Sequence, residues 1–370
     1  MPLAAREHVA TMMGNEWGEQ MIKGWNNAGW MSLSTQIGDR IAPLIGAEPG
    51  HVIMGDTLSI KVHQALAAAL ALNPGRKVIL SDYGNFPSDL YIAQGLIKTL
   101  DRGHTLKTVA PEDVSHHIDD QVAVLMLTEV DYRTSRKHDM QALTATAHAH
   151  GVITLWDLAH SVGALPVDLV GSNVDFAVGC TYKYLNGGPG APAFIYVCPA
   201  YVNKVDSSLS GWLGHAAPFD FELDYRAAQG IERLRVGTPP VIALKCLEPA
   251  LDIWDLVTID QVRKQSIALC ELFIREVESR CPGLTLNSPR NPQERGSQVS
   301  FCFEEGYGVI QAMAERGVIG DFRAPDNMRF GFAPLYIDEH DVMTAATQLE
   351  EVISNRLWDQ PKYKTRATVT

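Results

Sequence analysis

Two residues of complementary chemistry follow strand-like apolar runs near the middle of the chain. Asp157 closes the run Val152–Trp156, and Lys183 comes 26 residues later, between two tyrosines and ahead of a glycine-rich turn. A carboxylate at the end of a buried strand suits a ligand site, although it can also cap the next helix. A lysine held in a low-dielectric site gives up its proton more readily, which makes its amine a nucleophile. The pair indicates Schiff-base chemistry, while a structural or surface role for Lys183 alone stays open.

An amine and an acid at this spacing fit the cofactor pyridoxal phosphate (PLP). Its ring withdraws electrons when the ring nitrogen is protonated, which a nearby carboxylate favours, and a lysine holds its aldehyde carbon. Its phosphate needs donors, which the stretch Gly55–Ser59 before a predicted helix offers. Phe86, fixed by Pro87, offers a ring for stacking. Each of these two features has an ordinary alternative: a simple helix cap for the first, and packing on its own helix for Phe86.

A parallel sheet is the element that would bring these residues together. The predicted strands are Val78–Leu80, Val122–Leu127, Val152–Trp156, Val174–Val178 and Ala193–Val197, and the helical stretches between them include Ile60–Leu72, Asp89–Leu100 and Met140–Ala149. Strands that are apolar along their whole length are typical of a sheet covered on both faces. Strand–helix alternation predicts a mainly parallel α/β sheet, with ligands beyond the carboxyl ends of its strands.

A change of pattern near residue 247 predicts a second domain. A long helical stretch, Pro249–Ser279, is followed by strand-like alternation at Gln298–Phe303 and a helix at Val309–Arg316. The division predicted from these signals and from chain length is a segment 1–45 that packs on the small domain, a large cofactor-binding domain 46–246 and a small α+β domain 247–370.

The composition and net charge of the chain restrict the classes of partner that it can bind. The 370 residues are 46% hydrophobic and carry a net charge of −12, which predicts a folded chain and disfavours nucleic acid and anionic membranes. The longest apolar run, Ala65–Leu72, is far shorter than the ~20 residues of a membrane span. Six scattered cysteines without a CxxC pair indicate reduced thiols and a cytoplasmic protein. No histidine pair has the i,i+4 spacing of a zinc site, so no metal is predicted.

Several motifs taken together resemble the kynureninase family, PLP-dependent hydrolases of fold type I. They are FPSD (Phe86–Asp89), WDLAHSVG (Trp156–Gly163), TYKYLNGGPG (Thr181–Gly190), GWLGH (Gly211–His215), RVGTPP (Arg235–Pro240) and RFGFAPLY (Arg329–Tyr336). The similarity runs in order over nearly the whole chain. It implies a large domain with a mainly parallel seven-stranded sheet and a smaller α+β C-terminal domain.

The resemblance also implies roles for individual residues. Lys183 would bind the cofactor aldehyde, Asp157 its ring nitrogen, and Tyr182 would bind the phosphate and donate a proton, or bind phosphate only. The other implied cofactor contacts are Leu58, Ser59, Phe86, Asp89, Thr128, His160, Trp212 and Thr238. Trp212 and Thr238 would reach the partner subunit's cofactor, which implies a homodimer with shared sites. Arg329 would clamp the substrate carboxylate, whereas without the family it would be an ordinary surface arginine.

The activity implied is hydrolysis of L-kynurenine to anthranilate and L-alanine, in tryptophan catabolism and NAD biosynthesis. Gly237 and Trp25 resemble the forms of bacterial members that prefer kynurenine to its 3-hydroxy analogue. Relatives begin with a YLDGNSLG-like segment, and this sequence opens on residues similar to those that follow it. The alternatives are another fold-type-I enzyme, such as a modified-kynurenine hydrolase or a cysteine desulfurase-like lyase, and a non-catalytic PLP-binding protein. Cys302 alternates with Phe in QVSFCF and is interpreted as core, whereas a desulfurase needs a reactive cysteine on a mobile loop.

Overall fold

The computed structural model describes residues 2–366. The α-helices are α1 (Ala4–Thr11), α2 (Gly24–Asn27), α3 (Leu33–Ile41), α4 (Leu58–Leu72), α5 (Pro87–Leu100), α6 (Met140–Ala149), α7 (Val241–Asp252), α8 (Ile259–Arg280), α9 (Gly306–Ala314), α10 (Glu339–Ser354) and α11 (Pro361–Lys364). The strands are β1 (Val52–Met54), β2 (Val78–Asp82), β3 (Thr105–Val109), β4 (Val122–Thr128), β5 (Ile153–Asp157), β6 (Phe176–Cys180), β7 (Ala193–Val197), β8 (Thr285–Leu286), β9 (Gln298–Cys302), β10 (Asp321–Arg323) and β11 (Asn327–Gly331).

Two compact units make up the chain. The first unit contains residues 2–129 and 138–258, and the second contains residues 130–137 and 259–366. None of the helices formed by residues 2–366 combines the length and the apolar character needed to cross a membrane. All six cysteines are free thiols.

The first unit is built on a seven-stranded sheet in the order β1-β7-β6-β5-β4-β2-β3. Only β7 runs antiparallel to its neighbours, so the predicted mainly parallel seven-stranded sheet is confirmed. Every residue of β4, β5, β6 and β7 is buried, as expected for strands covered on both faces. Helix α4, rich in alanine and leucine, packs on β4, β5, β6 and β7. Because β4 and β5 are parallel neighbours, their carboxyl ends lie side by side at one edge of the sheet.

The second unit has a four-stranded antiparallel sheet in the order β10-β11-β9-β8. Its core is aromatic: Phe273 of α8 lies 6.2 Å from Phe301, 4.9 Å from Phe330 and 5.4 Å from Phe332, measured between ring centroids. Cys302, on the strand predicted at Gln298–Phe303, is only partly buried, whereas its neighbour Phe301 is fully buried, so the interpretation of Cys302 as core is met only in part. The predicted α+β character of this part of the chain is confirmed.

The helical stretch predicted at Pro249–Ser279 is two helices. Helix α7 ends at Asp252, α8 begins at Ile259, and the first unit ends at Thr258. Residues 1–45 were predicted to pack on a domain starting at 247. They belong to the first unit, as does α7, on which α1 packs and to which His8 is joined through Glu248 at 2.9 Å. The boundary between the units thus lies twelve residues beyond the predicted one (258 against 246), because the helical pattern continues across the turn between α7 and α8.

Candidate active site

Two strand ends form the floor of the candidate site. Asp157 is the last residue of β5 and Thr128 the last of β4, and the two are register partners in the parallel pair. Both side chains are 3% exposed, and the Thr128 hydroxyl is within hydrogen-bond distance of the Asp157 carboxyl. The other interpretation of Asp157, as the cap of a following helix, agrees only in part with the structure. Its Oδ1 accepts from the backbone N–H of Ala159 at 2.7 Å, but a turn follows rather than a helix.

A second buried carboxyl touches Asp157. Asp89 lies in the first turn of α5, is 2% exposed and hydrogen-bonds Asp157. Burial raises the pKa of Asp89 well above its ordinary value, and the negative charge of Asp157 raises it further. Burial also raises the pKa of Asp157, against the opposing effect of the nearby Lys183 ammonium. Two acids in contact cannot both ionise cheaply, so the pair retains a proton unless a cation joins it.

The amine predicted to act on the cofactor is close to this pair. Lys183 follows β6, and its Nζ lies 3.1 Å from Nε2 of His160, a residue buried just beyond β5. The same Nζ lies 5.6 Å from the ring centroid of Tyr182. Lys183 and Asp157 are near enough for the ammonium to affect the carboxyl electrostatically. The structure therefore assembles a lysine, a histidine and two acids from three separate stretches of sequence.

Tyr182 stands at the rim of this cluster, with its side chain 42% exposed. Desolvation and the Cys180 thiol, to which its hydroxyl is hydrogen-bonded, raise the pKa of Tyr182 well above its ordinary value of 10. The phenol therefore keeps its proton at neutral pH and can act as a donor. Cys180 is itself buried, which raises the pKa of its thiol, so it is a neutral partner rather than a nucleophile.

Two helix N-termini meet beside the cluster. Ser59 lies in the first turn of α4 and Ser88 in the first turn of α5, and their hydroxyl oxygens are 3.1 Å apart. Leu58 opens α4, and Phe86 occupies the N-cap position of α5 with its side chain 40% exposed. First-turn N–H groups and serine hydroxyls are suitable donors to a phosphate.

These residues fit PLP. The adjoining carboxyls Asp89 and Asp157 share one nearby cation, Lys183, and would accommodate a second positive charge on a protonated ring nitrogen. Lys183 offers an amine, and the paired helix N-termini offer phosphate donors. Among residues 2–366, no group of three or more His, Cys, Asp or Glu side chains is arranged to hold a metal ion.

Four predicted site residues lie in the first unit outside this cluster. In the described chain, Trp25 packs edge-on against Trp30, with ring centroids 6.2 Å apart, and Trp212 packs against Phe219 at 5.7 Å. The remaining two, Gly237 and Thr238, are exposed. Their roles stay predictions.

Arg329 belongs to β11 of the second unit. Its guanidinium forms a two-pronged pair with the Asp321 carboxylate, with Nε 2.7 Å from Oδ1, and it also donates to the carbonyl of Tyr132. This is the fork geometry with which arginine holds a carboxylate, here satisfied within the chain. Arg329 is thus not the ordinary surface arginine of the alternative interpretation, and its substrate role stays a prediction.

Sequence reasoning did not assign Asn85, Ser88, Lys61 or Cys180 to the site. Asn85 and Ser88 flank Phe86 in the GNFPSD stretch, where a polar residue on each side of an N-cap was the available signal. Lys61 is fully buried in α4, and nothing in the local pattern marks it as different from a surface lysine.

Comparison with known proteins gives a consistent result. The family described as Kynureninase C-terminal domain matches residues 262–349. The kynureninase of Pseudomonas fluorescens is 47% identical over 376 aligned residues, covering 100% of this chain and 90% of that protein. This chain belongs to the kynureninase family. The kynureninase of Burkholderia pseudomallei strain 1106a is similar to the same extent, at 47% identity with the same coverage.

Solved structures share the kynureninase-family fold at low sequence identity. A cysteine desulfurase from Thermococcus onnurineus NA1 has a TM-score of 0.80 at 17% identity and covers 96% of this chain and 92% of its own. A mutant of C-DES with glycine covalently linked to the PLP cofactor has a TM-score of 0.83 at 19% identity, covering 95% and 94%. Identities this low show the shared fold alone, which confirms the predicted fold type I architecture.

Proposed function

We propose that the protein catalyses the PLP-dependent hydrolysis of L-kynurenine to anthranilate and L-alanine. One observation carries this proposal: the chain is 47% identical, over its full length, to curated kynureninases. The assembled Lys183, Asp157 and Asp89 support it, because they supply the amine and the acids that the cofactor needs.

PLP, when bound, supplies an aldehyde that captures amines and a cationic ring that accepts electrons. We assign Lys183 Nζ to hold the aldehyde carbon and Asp157, with Asp89 against it, to hold a proton on the ring nitrogen. The Ser59 and Ser88 hydroxyls and the first turns of α4 and α5 bind the phosphate. Phe86 and His160 flank the ring.

Protons are moved by two residues of this cluster. With the substrate bound, Nζ of Lys183, which His160 holds at 3.1 Å, would take the α-proton of the substrate and return it to Cα after the bond has broken. Water then adds to the γ-carbonyl carbon, the Cβ–Cγ bond breaks, and the aryl half leaves as anthranilate. The electron pair left on Cβ takes a proton from the Tyr182 hydroxyl, which yields the methyl group of alanine. The balance is one kynurenine and one water in, one anthranilate and one alanine out.

The proposed function also includes contacts to the substrate and assembly into a dimer. Arg329 binds the α-carboxylate, and Trp25 and Gly237 set the preference for an unsubstituted ring. A homodimer supports both sites, with Trp212 and Thr238 reaching the partner subunit's phosphate. The exposed apolar side chains of Trp212, Phe219, Phe221 and Leu223 favour such an interface. Cytoplasmic location stays a prediction.

The alternatives receive less support. The Thermococcus cysteine desulfurase is 17% identical to this chain and C-DES is 19% identical, which is a likeness of fold. Cys302 lies in a strand and burial raises the pKa of its thiol, which does not suit a nucleophile on a mobile loop. A non-catalytic PLP-binding protein would not need an amine, two acids and a proton-holding phenol together.

The test is an anthranilate-fluorescence assay with kynurenine and 3-hydroxykynurenine, on the purified protein supplied with PLP. We expect turnover of kynurenine, a visible absorbance band, and a borohydride-trapped adduct at Lys183 identified by mass spectrometry. Lys183→Ala should lose the adduct and at least about a thousandfold in kcat, while Lys204→Ala, on an exposed lysine, should keep both. Normal kynurenine cleavage by Lys183→Ala would refute the proposal.

A further inference from the structure

A row of buried polar side chains leads from Asp157 into the sheet. Thr128, the register partner of Asp157 in the parallel β4–β5 pair, donates its hydroxyl hydrogen to Oδ1 of Asn85 at 2.6 Å. The Nδ2 group of Asn85 donates to Oγ of Ser81 at 2.9 Å and to the carbonyl of Met126 at 3.3 Å. All four side chains, Ser81, Asn85, Thr128 and Asp157, are at most 3% exposed.

The direction of each hydrogen bond in this row is fixed by chemistry. Ser81 donates its one hydroxyl hydrogen to the carbonyl of Met126 at 2.7 Å, so its oxygen can only accept from Asn85. Both hydrogens of Nδ2 are then used, because the Met126 carbonyl is also an acceptor only. The amide of Asn85 must therefore present Oδ1 to Thr128. That oxygen has no hydrogen, so the single hydrogen of Thr128 points at Asn85.

The consequence falls on Asp157. A Thr128 hydroxyl that donated to Asp157 would stabilise the carboxylate and lower its pKa. With its hydrogen committed to Asn85, Thr128 gives Asp157 no hydrogen bond that would stabilise its negative charge, so the carboxylate stays more basic. The charged groups that face Asp157 are the Asp89 carboxyl, which is in contact with it, and the Lys183 ammonium.

We propose that Asn85 is a positioning residue: by holding the hydrogen of Thr128, it keeps Asp157 basic enough to retain a proton on the ring nitrogen of the cofactor. This inference rests on the proposed PLP-dependent function. Asn85 acts through Thr128. Asn85 itself lies outside the cluster of Lys183, His160 and Asp89.

The test is a double-mutant cycle read by the cofactor rather than by turnover. Protein loaded with PLP labelled with ¹⁵N at the ring nitrogen is titrated with pH, and the ¹⁵N chemical shift reports ring protonation. Asn85→Leu, of similar size, frees the Thr128 hydrogen for Asp157 and should lower the titration midpoint by about one pH unit, a tenfold loss of proton affinity. In a Thr128→Val background, which has no such hydrogen, Asn85→Leu should shift nothing further.

Two results would overturn the inference: an unchanged midpoint in Asn85→Leu, or the same shift with and without Thr128, which would indicate a general structural effect. If Asn85→Leu does not fold, neutron diffraction of the wild-type protein exchanged into D₂O decides directly. A deuteron between Thr128 and Asn85 supports the inference, and one pointing from Thr128 to Asp157 contradicts it. Failure of the proposed function gives a different result, because the wild-type protein would then form no visible band and no borohydride adduct at Lys183.

Discussion

Two buried aspartates at opposite edges of the same sheet have opposite surroundings. Asp175 lies at the amino end of β6, is 6% exposed, and its Oδ2 accepts from the backbone N–H of Thr154 at 2.8 Å, the hydroxyl of Thr154 at 3.1 Å and Nε2 of His148 at 2.8 Å. Asp157 lies at the carboxyl end of β5, accepts from one backbone N–H, and faces the second carboxyl of Asp89.

The difference separates a structural carboxylate from a functional one. Asp175 has its charge satisfied within the chain, so its burial is compensated. Asp157 and Asp89 place acid against acid with Lys183 as the nearby positive charge, an arrangement that costs stability unless a further cation joins them. Burial alone does not mark a site, whereas burial without compensation at the carboxyl edge of a parallel sheet does.

The largest expected effect is on activity. Asp157→Asn keeps the shape but cannot hold a proton on the ring nitrogen, so kcat should fall about a thousandfold or more while the fold is retained. Asp175→Asn should do the reverse, with unfolding made easier by about 2–4 kcal/mol and kcat changed less than threefold. Anthranilate fluorescence and urea unfolding measure the two effects. If both variants lost activity equally at matched stability, the distinction between the two edges would be wrong.

Sequence reasoning could find Asp157 because its signal is local: an acid ends an apolar run of strand length. Lys183 has a similar local signal in the glycine-rich turn that follows it. Asp89 was assigned only through the family resemblance, because its contact with Asp157 joins residues 68 positions apart. The direction of the Thr128 hydroxyl depends on three further side chains, and no pattern in one sequence encodes it.

The elements of the fold, too, could be predicted only where their sequence signal is local. The fully buried strands β4, β5, β6 and β7 could be predicted from their apolar runs, and α4, α5 and α6 from their helical periodicity. Strand β1 has only three residues, and the edge strand β3, with the sequence TLKTV, is half polar, so neither was read individually. Arg329 could be located by its motif, but its fork with Asp321 depends on the pairing of β10 with β11.

Replacing Asp89 removes the contact between the two acids. Asp89 has a pKa above that of an unfolded aspartate, so the native state holds its proton to higher pH and stability falls as pH rises above about 4. Asp89→Asn imitates the protonated side chain and should be more stable than wild type at pH 7 by about 1–3 kcal/mol, with no gain at pH 3. Urea unfolding of the cofactor-free protein at several pH values measures this. A gain independent of pH would contradict the assigned cause.

The smallest expected effect concerns Lys61, a buried cation. Its charge is compensated less fully than that of Asp175 but more fully than the charges of Asp89 and Asp157. Lys61 is 1% exposed and donates to Oε1 of Gln64 at 3.0 Å. Its counter-charge among residues 2–366 is the half-exposed Asp56, 3.5 Å away. Burial lowers the pKa of Lys61 from its ordinary 10.5 to about 8, against the opposing effect of Asp56. The native state therefore loses this proton before the unfolded state does, and stability rises with pH between about 8 and 10.5.

Between pH 7 and 9.5 the free energy of unfolding of the wild-type protein should rise by about 2 kcal/mol relative to that of Lys61→Met. Lys204→Met, on an exposed lysine, should show the same rise as wild type. Parallel pH dependences for wild type and Lys61→Met would mean that Asp56 compensates Lys61 as fully as His148 and Thr154 compensate Asp175.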